Sequence, residues 1–292
     1  MTEIVSIDGH ITPAKEAFVP VLNRGFLYGD SVFEVLRTYA GKPFAEKEHL
    51  NRLSASCERL LIDMPVSLST LSQDIHAALT GAGNTESYIR IIITRGAGPV
   101  LLDLRTAERP TRVIIVLPFS VQPPEIYQQG VNISLVTNSR AMDGSRASGA
   151  KASNYQPNML ALHEAKQRGS YESIFVGVHG DVSEGASSNL FIVKNGNIIT
   201  PPVRSGLLEG ITRRYVIEVA QTLNKRVIES ALFPSDLYTA NEVFITSTLR
   251  EVVPVVAVDN QKIGNGLPGP VTQEVLHSFQ AFARQQAARA NA

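Results

Sequence analysis

Some side chains in this sequence have the type and the spacing to do chemistry. Lys151 lies in Gly149-Ala-Lys151-Ala-Ser-Asn-Tyr155, between a polar loop and the start of a predicted helix. A lysine amine that has lost its proton adds to an aldehyde, and burial favours the neutral amine. A lysine alone in such a loop is ordinarily solvated. Tyr155 stands four residues on and shares a helical face with Lys151 if that turn is helical. Leu208-Glu-Gly210-Ile-Thr212 runs into another predicted helix, whose first-turn N–H groups can hold a phosphate. Tyr88 and Arg90 are two apart on a predicted strand, so both point to one face.

Other motifs lack the context their chemistry needs. Gly264-Asn-Gly266-Leu-Pro-Gly269 spells a dinucleotide fingerprint. Too little chain follows for the second strand and its acid, and Pro268 and Pro270 remove loop donors, so it reads as a turn. Ser148-Gly-Ala-Lys151 has the spacing of a serine acyl-transfer site, but its two companion elements are missing. No two of the six histidines have the spacing of a helical metal pair, and the single cysteine, Cys57, cannot make an internal disulfide or a thiolate cluster, so no metal site is expected.

The elements that must position these residues follow from hydrophobic periodicity. Residues 1 to about 44 alternate strands and turns, with Asp8-Gly9 as a hairpin signal. Helices are predicted over 46–62 and 68–80, the second with Ser67 as N-cap. Strands follow at Tyr88–Thr94 and Arg112–Leu117. Pro118, Pro123 and Pro124 mark a stiff connector over 118–127. Beyond it come a strand at 131–137, a polar Gly/Ser-rich loop at 138–150, a helix at about 155–168 and a strand at Ser173–Val178. Asn195-Gly196 joins strand 189–194 to 197–199 as a hairpin. A helix over 211–223, strands near 226–230, 242–246 and 252–258, and a helix over 271–288 complete the chain. Strands and helices mix without regular alternation, so mixed sheets are expected.

Composition narrows the function classes. The 292 residues are 43% hydrophobic and carry 27 basic against 27 acidic side chains, so the chain folds as a globular protein and lacks the basic excess of a nucleic-acid binder. No apolar run reaches the ~20 residues that span a bilayer. The N-terminus lacks the basic and apolar runs of a signal peptide, and the lone cysteine fits a reducing compartment, so a cytoplasmic protein is expected.

Seven separated motifs, in order from about Asn23 to Pro270, resemble the class IV (fold-type IV) pyridoxal-phosphate aminotransferases. They are Tyr28-Gly-Asp-Ser-Val-Phe-Glu34, His49-Leu-Asn-Arg52-Leu, Tyr88-Ile-Arg90, Lys151-Ala-Ser-Asn-Tyr155, Glu184-Gly-Ala-Ser-Ser-Asn-Leu-Phe191, Gly210-Ile-Thr-Arg213 and Thr246-Ser-Thr248-Leu-Arg-Glu-Val-Val-Pro254. The family includes branched-chain, D-amino-acid and (R)-amine transaminases and aminodeoxychorismate lyase. The resemblance implies pyridoxal 5'-phosphate as cofactor and Lys151 as the catalytic imine lysine. It makes Glu184 the partner of the pyridine nitrogen and Tyr155 that of the 3' oxygen, and packs Leu208 against the ring. It assigns Ile211, Thr212, Thr248 and Arg52 to the phosphate, although periodicity alone places Arg52 on the solvated side of its helix.

The resemblance further implies a substrate pocket of Tyr28, Phe33, Val35, Arg37, Tyr88, Arg90 and Leu249. The pair Tyr88-x-Arg90 resembles branched-chain members, where such an arginine accepts the distal carboxylate of glutamate. Val35, Ser247 and Leu249 depart from that pattern, and Val35 is typical of D-amino-acid and (R)-amine members. Arg95 and Arg105 offer the carboxylate clamp of D-specific members. The implied fold is mixed α/β: a small N-terminal α/β domain (1–117), the connector (118–127), and a larger C-terminal domain (128–292) with a barrel-like mixed sheet and the cofactor lysine. The implied reaction is ping-pong transfer from a hydrophobic, branched-chain-like L-amino acid to 2-oxoglutarate, in a homodimer. The alternatives are D-amino-acid or (R)-amine transfer, then an aminodeoxychorismate-type lyase or a cofactor-binding protein without turnover.

Overall fold

The computed structural model describes residues 2–137 and 147–289. Most of the polar loop expected at 138–150, namely 138–146, therefore lies outside the described residues. The chain divides into two compact units. The first takes the chain up to Ser120, Ala150–Asn154 and the residues from Arg284 on; the second takes the described residues from Val121 to Gly149 and Tyr155 to Ala283.

The first unit is a six-stranded antiparallel sheet with helices on one face. Its elements are β1 (Ile4–Ile7), β2 (His10–Pro13), α1 (Arg24–Tyr28), β3 (Ser31–Tyr39), β4 (Lys42–Pro43), α2 (Glu46–Arg59), α3 (Leu68–Ala82), β5 (Ser87–Thr94) and β6 (Thr111–Pro118). The strand order is β2-β1-β6-β5-β3-β4. Asp8 and Gly9 both take positive φ, as a two-residue hairpin turn requires. Alternation along the strands sends Val32, Leu36, Ile89, Ile91, Ile93, Ile114 and Val116 to one face. There they pack with Leu50, Leu53 and Cys57 of α2 and Leu71, Ile75 and Ala78 of α3. Ser67 caps α3, its Oγ accepting from the Thr70 N–H at 3.1 Å.

The second unit is built round a closed sheet. Its elements are α4 (Pro124–Gln129), β7 (Val131–Thr137), α5 (Gln156–Gln167), β8 (Glu172–Val176), β9 (Val182–Gly185), β10 (Asn189–Lys194), β11 (Asn197–Thr200), α6 (Ile211–Thr222), β12 (Val227–Glu229), α7 (Pro234–Tyr238), β13 (Glu242–Ser247), β14 (Glu251–Val258), β15 (Gln261–Lys262) and the part of α8 (Pro270–Arg289) up to Ala283. Six strands run β10-β13-β14-β7-β8-β9, and the pairing of Asn189 with Glu184 brings β9 back to β10. The ring is mixed, since β14–β7 and β7–β8 are parallel and the other pairs antiparallel. This is the expected barrel-like mixed sheet. β11 and β12 extend it beyond β10. One face of these strands carries the cluster of Ile133, Ile174, Leu190, Ile192, Ile245 and Val253. Asn195 and Gly196 both have positive φ and close the β10–β11 hairpin.

Of three segments singled out in the sequence, the second departs from expectation. Within 118–127, Pro118 ends β6, the division between the two units falls after Ser120, and Pro124 occupies the first turn of α4, where its missing N–H costs nothing. Residues 150–154, with Lys151, cluster with the first unit, because Ala152 bridges antiparallel to Val32 of β3. The Gly264–Gly269 motif is a turn leading to α8, whose first N–H groups, those of Val271 and Thr272, are taken by the Glu242 carboxylate at 3.1 and 2.8 Å. None of the helices among the described residues is long and apolar enough to cross a membrane.

Candidate active site

The site residues expected from sequence fall into two groups, one in each unit. In the first unit, β3 and β5 place Val35 opposite Arg90 and Arg37 opposite Tyr88. These four and Phe33 lie on the face away from the α2–α3 core, by the same alternation that buries Val32 and Leu36. The guanidinium carbon of Arg90 lies 3.9 Å from the centroid of the Phe33 ring. Lys151 Nζ lies 4.6 Å from the same centroid. Arg37 is buried, its guanidinium carbon 4.2 Å from the Tyr39 ring and 4.4 Å from that of Phe119. Tyr28 ends α1, partly exposed, with Arg24 over its ring at 5.1 Å.

Lys151 is held by its backbone. Its carbonyl accepts from the Phe33 N–H at 2.9 Å, Ser153 N–H donates to the Ser31 carbonyl at 2.9 Å, and Lys151 N–H donates to Ser56 Oγ on α2 at 3.1 Å. The segment is thus extended and adds to the edge of β3. This corrects the idea that Lys151 and Tyr155 share a helical face: α5 begins at Gln156, and Tyr155 is its N-cap.

Arg52 is not solvated. It reaches from α2 to the fully buried Glu34 of β3, its Nε and Nη2 donating to the two carboxylate oxygens at 2.6 and 2.8 Å. His49, one turn earlier, is also fully buried, with Nδ1 2.7 Å from Glu34. Burial alone would raise the Glu34 pKa, but Arg52 and His49 outweigh it and bring it down to about 2. Burial pushes the His49 pKa below its ordinary value despite the Glu34 carboxylate. Sequence reasoning gave Glu34 and His49 no role. A charge in the core phase of β3, between Val32 and Leu36, was the available signal, since a buried carboxylate needs partners. His49 and Arg52, three apart on one helix face, supply them.

Arg95 does not supply a carboxylate clamp. Its Nε and Nη2 donate to Asp30 at 2.8 and 2.9 Å, and its Nη1 and Nη2 also donate to the Leu61 and Leu60 carbonyls. Asp30 also accepts from Arg24 at 3.0 Å. Burial would raise its pKa, and the two arginines hold it below the usual carboxylate range. Arg105 is exposed and pairs with Asp103.

In the second unit, Glu184 on β9 accepts from the Leu208 N–H at 3.1 Å and from Asn189 Nδ2 at 3.4 Å. Asn189 Nδ2 also donates to the Leu208 carbonyl at 2.9 Å. Asn189 is the strand partner of both Glu184 and Thr246, so β9, β10 and the end of β13 meet there. A Cβ at Gly210 would lie 1.9 Å from Asn189 Oδ1, so glycine is required by proximity. Gly210 is the N-cap of α6, and no side chain among the described residues caps that helix. The first-turn N–H groups, including those of the buried Ile211 and Thr212, have no intrahelical partners. Thr248 and Leu249 occupy the turn from Ser247 to Arg250, which a bond from Arg250 N–H to the Ser247 carbonyl closes at 3.3 Å. The buried Thr246 Oγ1 beside it has no hydrogen-bond partner among the described residues.

Within each unit, the residues present fit parts of a phosphorylated, ring-bearing cofactor. An uncapped helix N-terminus suits a phosphate, an oriented carboxylate suits a protonated ring nitrogen, and a lysine amine suits an aldehyde. Among the described residues no group of three or more His, Cys, Asp and Glu side chains could hold a metal.

Comparison with known proteins agrees. The family described as amino-transferase class IV matches residues 31–258. A putative branched-chain-amino-acid aminotransferase of Methanocaldococcus jannaschii is 37% identical over 94% of this chain and 94% of its own. A D-alanine aminotransferase of Bacillus licheniformis is 32% identical over 94% and 95%. The crystal structure of the Escherichia coli branched-chain amino acid aminotransferase superposes with a TM-score of 0.93 at 31% identity, covering 98% of this chain and 96% of that one.

Proposed function

The chain belongs to the class IV aminotransferases, and from that premise we propose that it moves the amino group of a hydrophobic, branched-chain-like L-amino acid to 2-oxoglutarate by a ping-pong mechanism. The enzyme depends on pyridoxal 5'-phosphate, which supplies an aldehyde to the amine and a conjugated ring that takes up electrons. Lys151 would hold the cofactor through its amine, and its Nζ would take up and return one proton. Glu184, oriented by Leu208 N–H and Asn189, keeps the ring nitrogen protonated. Tyr155 would donate to the ring oxygen and Leu208 would pack against the ring. Arg52, Ile211, Thr212 and Thr248 hold the phosphate, the helix end contributing its partial positive charge.

The observation that carries the substrate assignment is Arg90 lying over Phe33 with Val35 across the ladder. An aromatic ring and a branched side chain suit an apolar substrate. A guanidinium between them suits the second carboxylate of glutamate, so both half-reactions can share one pocket. Tyr28, Arg37, Tyr88 and Leu249 complete it in this reading, and Tyr88-x-Arg90 fits amino transfer better than lyase chemistry.

One observation favours a second reading. Val35 narrows the pocket directly across from Arg90, which suits D-alanine or an (R)-amine. The deciding experiment follows the visible absorption band of the cofactor-loaded enzyme as L-leucine, D-alanine and (R)-1-phenylethylamine are added separately. Loss with L-leucine alone supports the proposal. Loss with D-alanine or the amine alone replaces it with the second reading. An unchanged band with every donor would favour a binding protein without turnover.

The same proposal includes a homodimer in the cytoplasm. Phe18, Val21, Phe26 and Leu102 are largely exposed, and the bond from Arg24 Nη1 to the Leu101 carbonyl at 2.7 Å ties the segments that carry them. An exposed apolar patch suits a second copy. Light scattering across a dilution series measures this, and a monomer at micromolar concentration would refute it. The single, buried Cys57 suits a reducing compartment.

A further inference from the structure

Arg250 has no part in the assignments above, yet it makes more side-chain contacts than its position in a turn explains. It closes the Ser247–Arg250 turn, and its Nε donates to Ser247 Oγ at 2.9 Å. Its Nη2 then crosses to the loop after β9, reaching the Ser187 carbonyl at 2.8 Å and Ser187 Oγ at 2.9 Å. The same nitrogen meets Glu172 Oε2 at 3.0 Å. Glu172, at the start of β8, is completely buried and also accepts from Ser187 Oγ at 2.7 Å and Ser188 Oγ at 3.2 Å. Its other oxygen accepts from the Ser173 N–H at 3.0 Å.

The turn is pinned at its backbone as well. Tyr127 Oη donates to the Arg250 carbonyl at 3.2 Å. Glu251, the next residue, has a φ of 58°, a left-handed conformation that side chains adopt only when the surroundings impose it. Gln280 Nε2 fixes its carboxylate at 2.6 Å. One side of this clamp holds Thr248 and Leu249; the other holds residues 186–188, between Glu184 and Asn189.

We propose that Arg250 is a positioning residue: through Glu172 and Ser187 it locks the Thr248 turn to the loop that follows Glu184, so that the phosphate end and the ring-nitrogen end of the cofactor meet groups at one fixed spacing. The proposal rests on the reading that Thr248 and Glu184 hold the cofactor. Its physical basis is preorganisation. A guanidinium forks between a turn and a loop as a lysine ammonium cannot, and its buried carboxylate partner tolerates no loss of that charge without rearranging.

The test is the rate at which the holoenzyme loses cofactor on dilution, followed by its visible band. Arg250→Ala is expected to raise that rate about 10-fold or more, Arg250→Lys and Glu172→Gln less, since a small displacement of a contact group has effects of this order. Glu172→Gln keeps the shape of the side chain and guards against a variant that fails to fold. Thr248→Ala is measured in parallel, and then Thr248→Ala with Arg250→Ala. If Arg250 acts through Thr248, the double variant loses cofactor no faster than the faster single variant. Multiplying effects would overturn the proposal, as would unchanged rates in all three Arg250 and Glu172 variants beside a fast Thr248→Ala. No effect of Thr248→Ala would instead overturn the assignment of Thr248, and the proposal with it.

Discussion

Glu34 and Arg52 form a two-point ion pair beneath the β3 strand, with both carboxylate oxygens engaged at 2.6 and 2.8 Å and Glu34 fully buried. The pair fixes the guanidinium assigned to the cofactor phosphate before any cofactor arrives. Glu34→Ala leaves Arg52 with its charge and without its acceptor. Removing one member of a buried pair costs about 3–5 kcal/mol. For a domain of this size that corresponds to a fall in melting temperature of roughly 10 °C. Thermal unfolding of the cofactor-loaded variant measures it; a change within about 1 °C would mean that the pair adds nothing to the fold.

Acid should weaken this cluster in two steps. His49 has a folded pKa below its ordinary 6.5, so below that pH the unfolded chain binds a proton that the folded chain refuses. Stability therefore falls as pH drops below about 6.5 and is level above it. Glu34 has a folded pKa of about 2 against an ordinary 4.5, so its contribution is complete above 4.5 and is lost as pH falls toward 2. That second step amounts to roughly 3 kcal/mol. Urea unfolding between pH 4 and pH 8 should show the first step in the wild type and its absence in His49→Gln, with a flat wild-type profile counting against a buried neutral histidine.

Arg95 gives the cleanest separation between a structural and a substrate role. All three of its nitrogen positions serve Asp30 and the Leu60 and Leu61 carbonyls. Arg95→Ala should lower the melting temperature by roughly 10 °C, as for any broken buried pair. The ratio of kcat/KM for D-alanine and L-leucine should stay the same. A ratio shifted 10-fold or more would restore Arg95 as a carboxylate clamp.

These three cases mark what the sequence could and could not say. Period-two and helical patterns located β5, β6, β7, α2, α3, α6 and the Asn195-Gly196 hairpin, because each rests on interactions local in sequence. Motif resemblance picked out Lys151 and Glu184, residues whose proposed chemistry rests on type and neighbours. Contacts made across long separations left no such trace. Ala152 beside Val32 and Arg250 beside Glu172 depend on how strands close, and only a core-phase charge such as Glu34 betrays a hidden partner. Arg52 looked solvated because helical periodicity ranks faces by hydropathy and does not see a carboxylate on the facing strand.

Substrate size should turn on Val35. It faces Arg90 across the β3–β5 ladder, on the face that carries Phe33 and Tyr88. Val35→Gly removes three carbons from that face. One methylene in an apolar pocket alters discrimination by about 10–200-fold. The variant should raise kcat/KM for L-leucine relative to L-alanine by at least about 10-fold, while glycine in a strand costs about 1 kcal/mol of stability. An unchanged ratio would remove Val35 from the pocket.

Gly210 tests the phosphate end of the site without touching a charge. Its φ of −66° suits any residue, so substitution introduces no backbone strain. The added methyl of Gly210→Ala would instead lie 1.9 Å from Asn189 Oδ1. Asn189 has to move, and it bonds both Glu184 and the Leu208 carbonyl. One side-chain displacement thus loosens the carboxylate assigned to the ring nitrogen and the approach to α6 together. Overpacking of this kind costs about 1–3 kcal/mol. Cofactor should dissociate about 2- to 12-fold faster if half of that cost falls on the bound state. Asn189→Ala combined with Gly210→Ala makes room for the methyl, so the double variant should regain part of the cofactor retention lost by Gly210→Ala alone. Retention at the wild-type level in Gly210→Ala would show that Asn189 yields freely and that its two bonds do not hold the site.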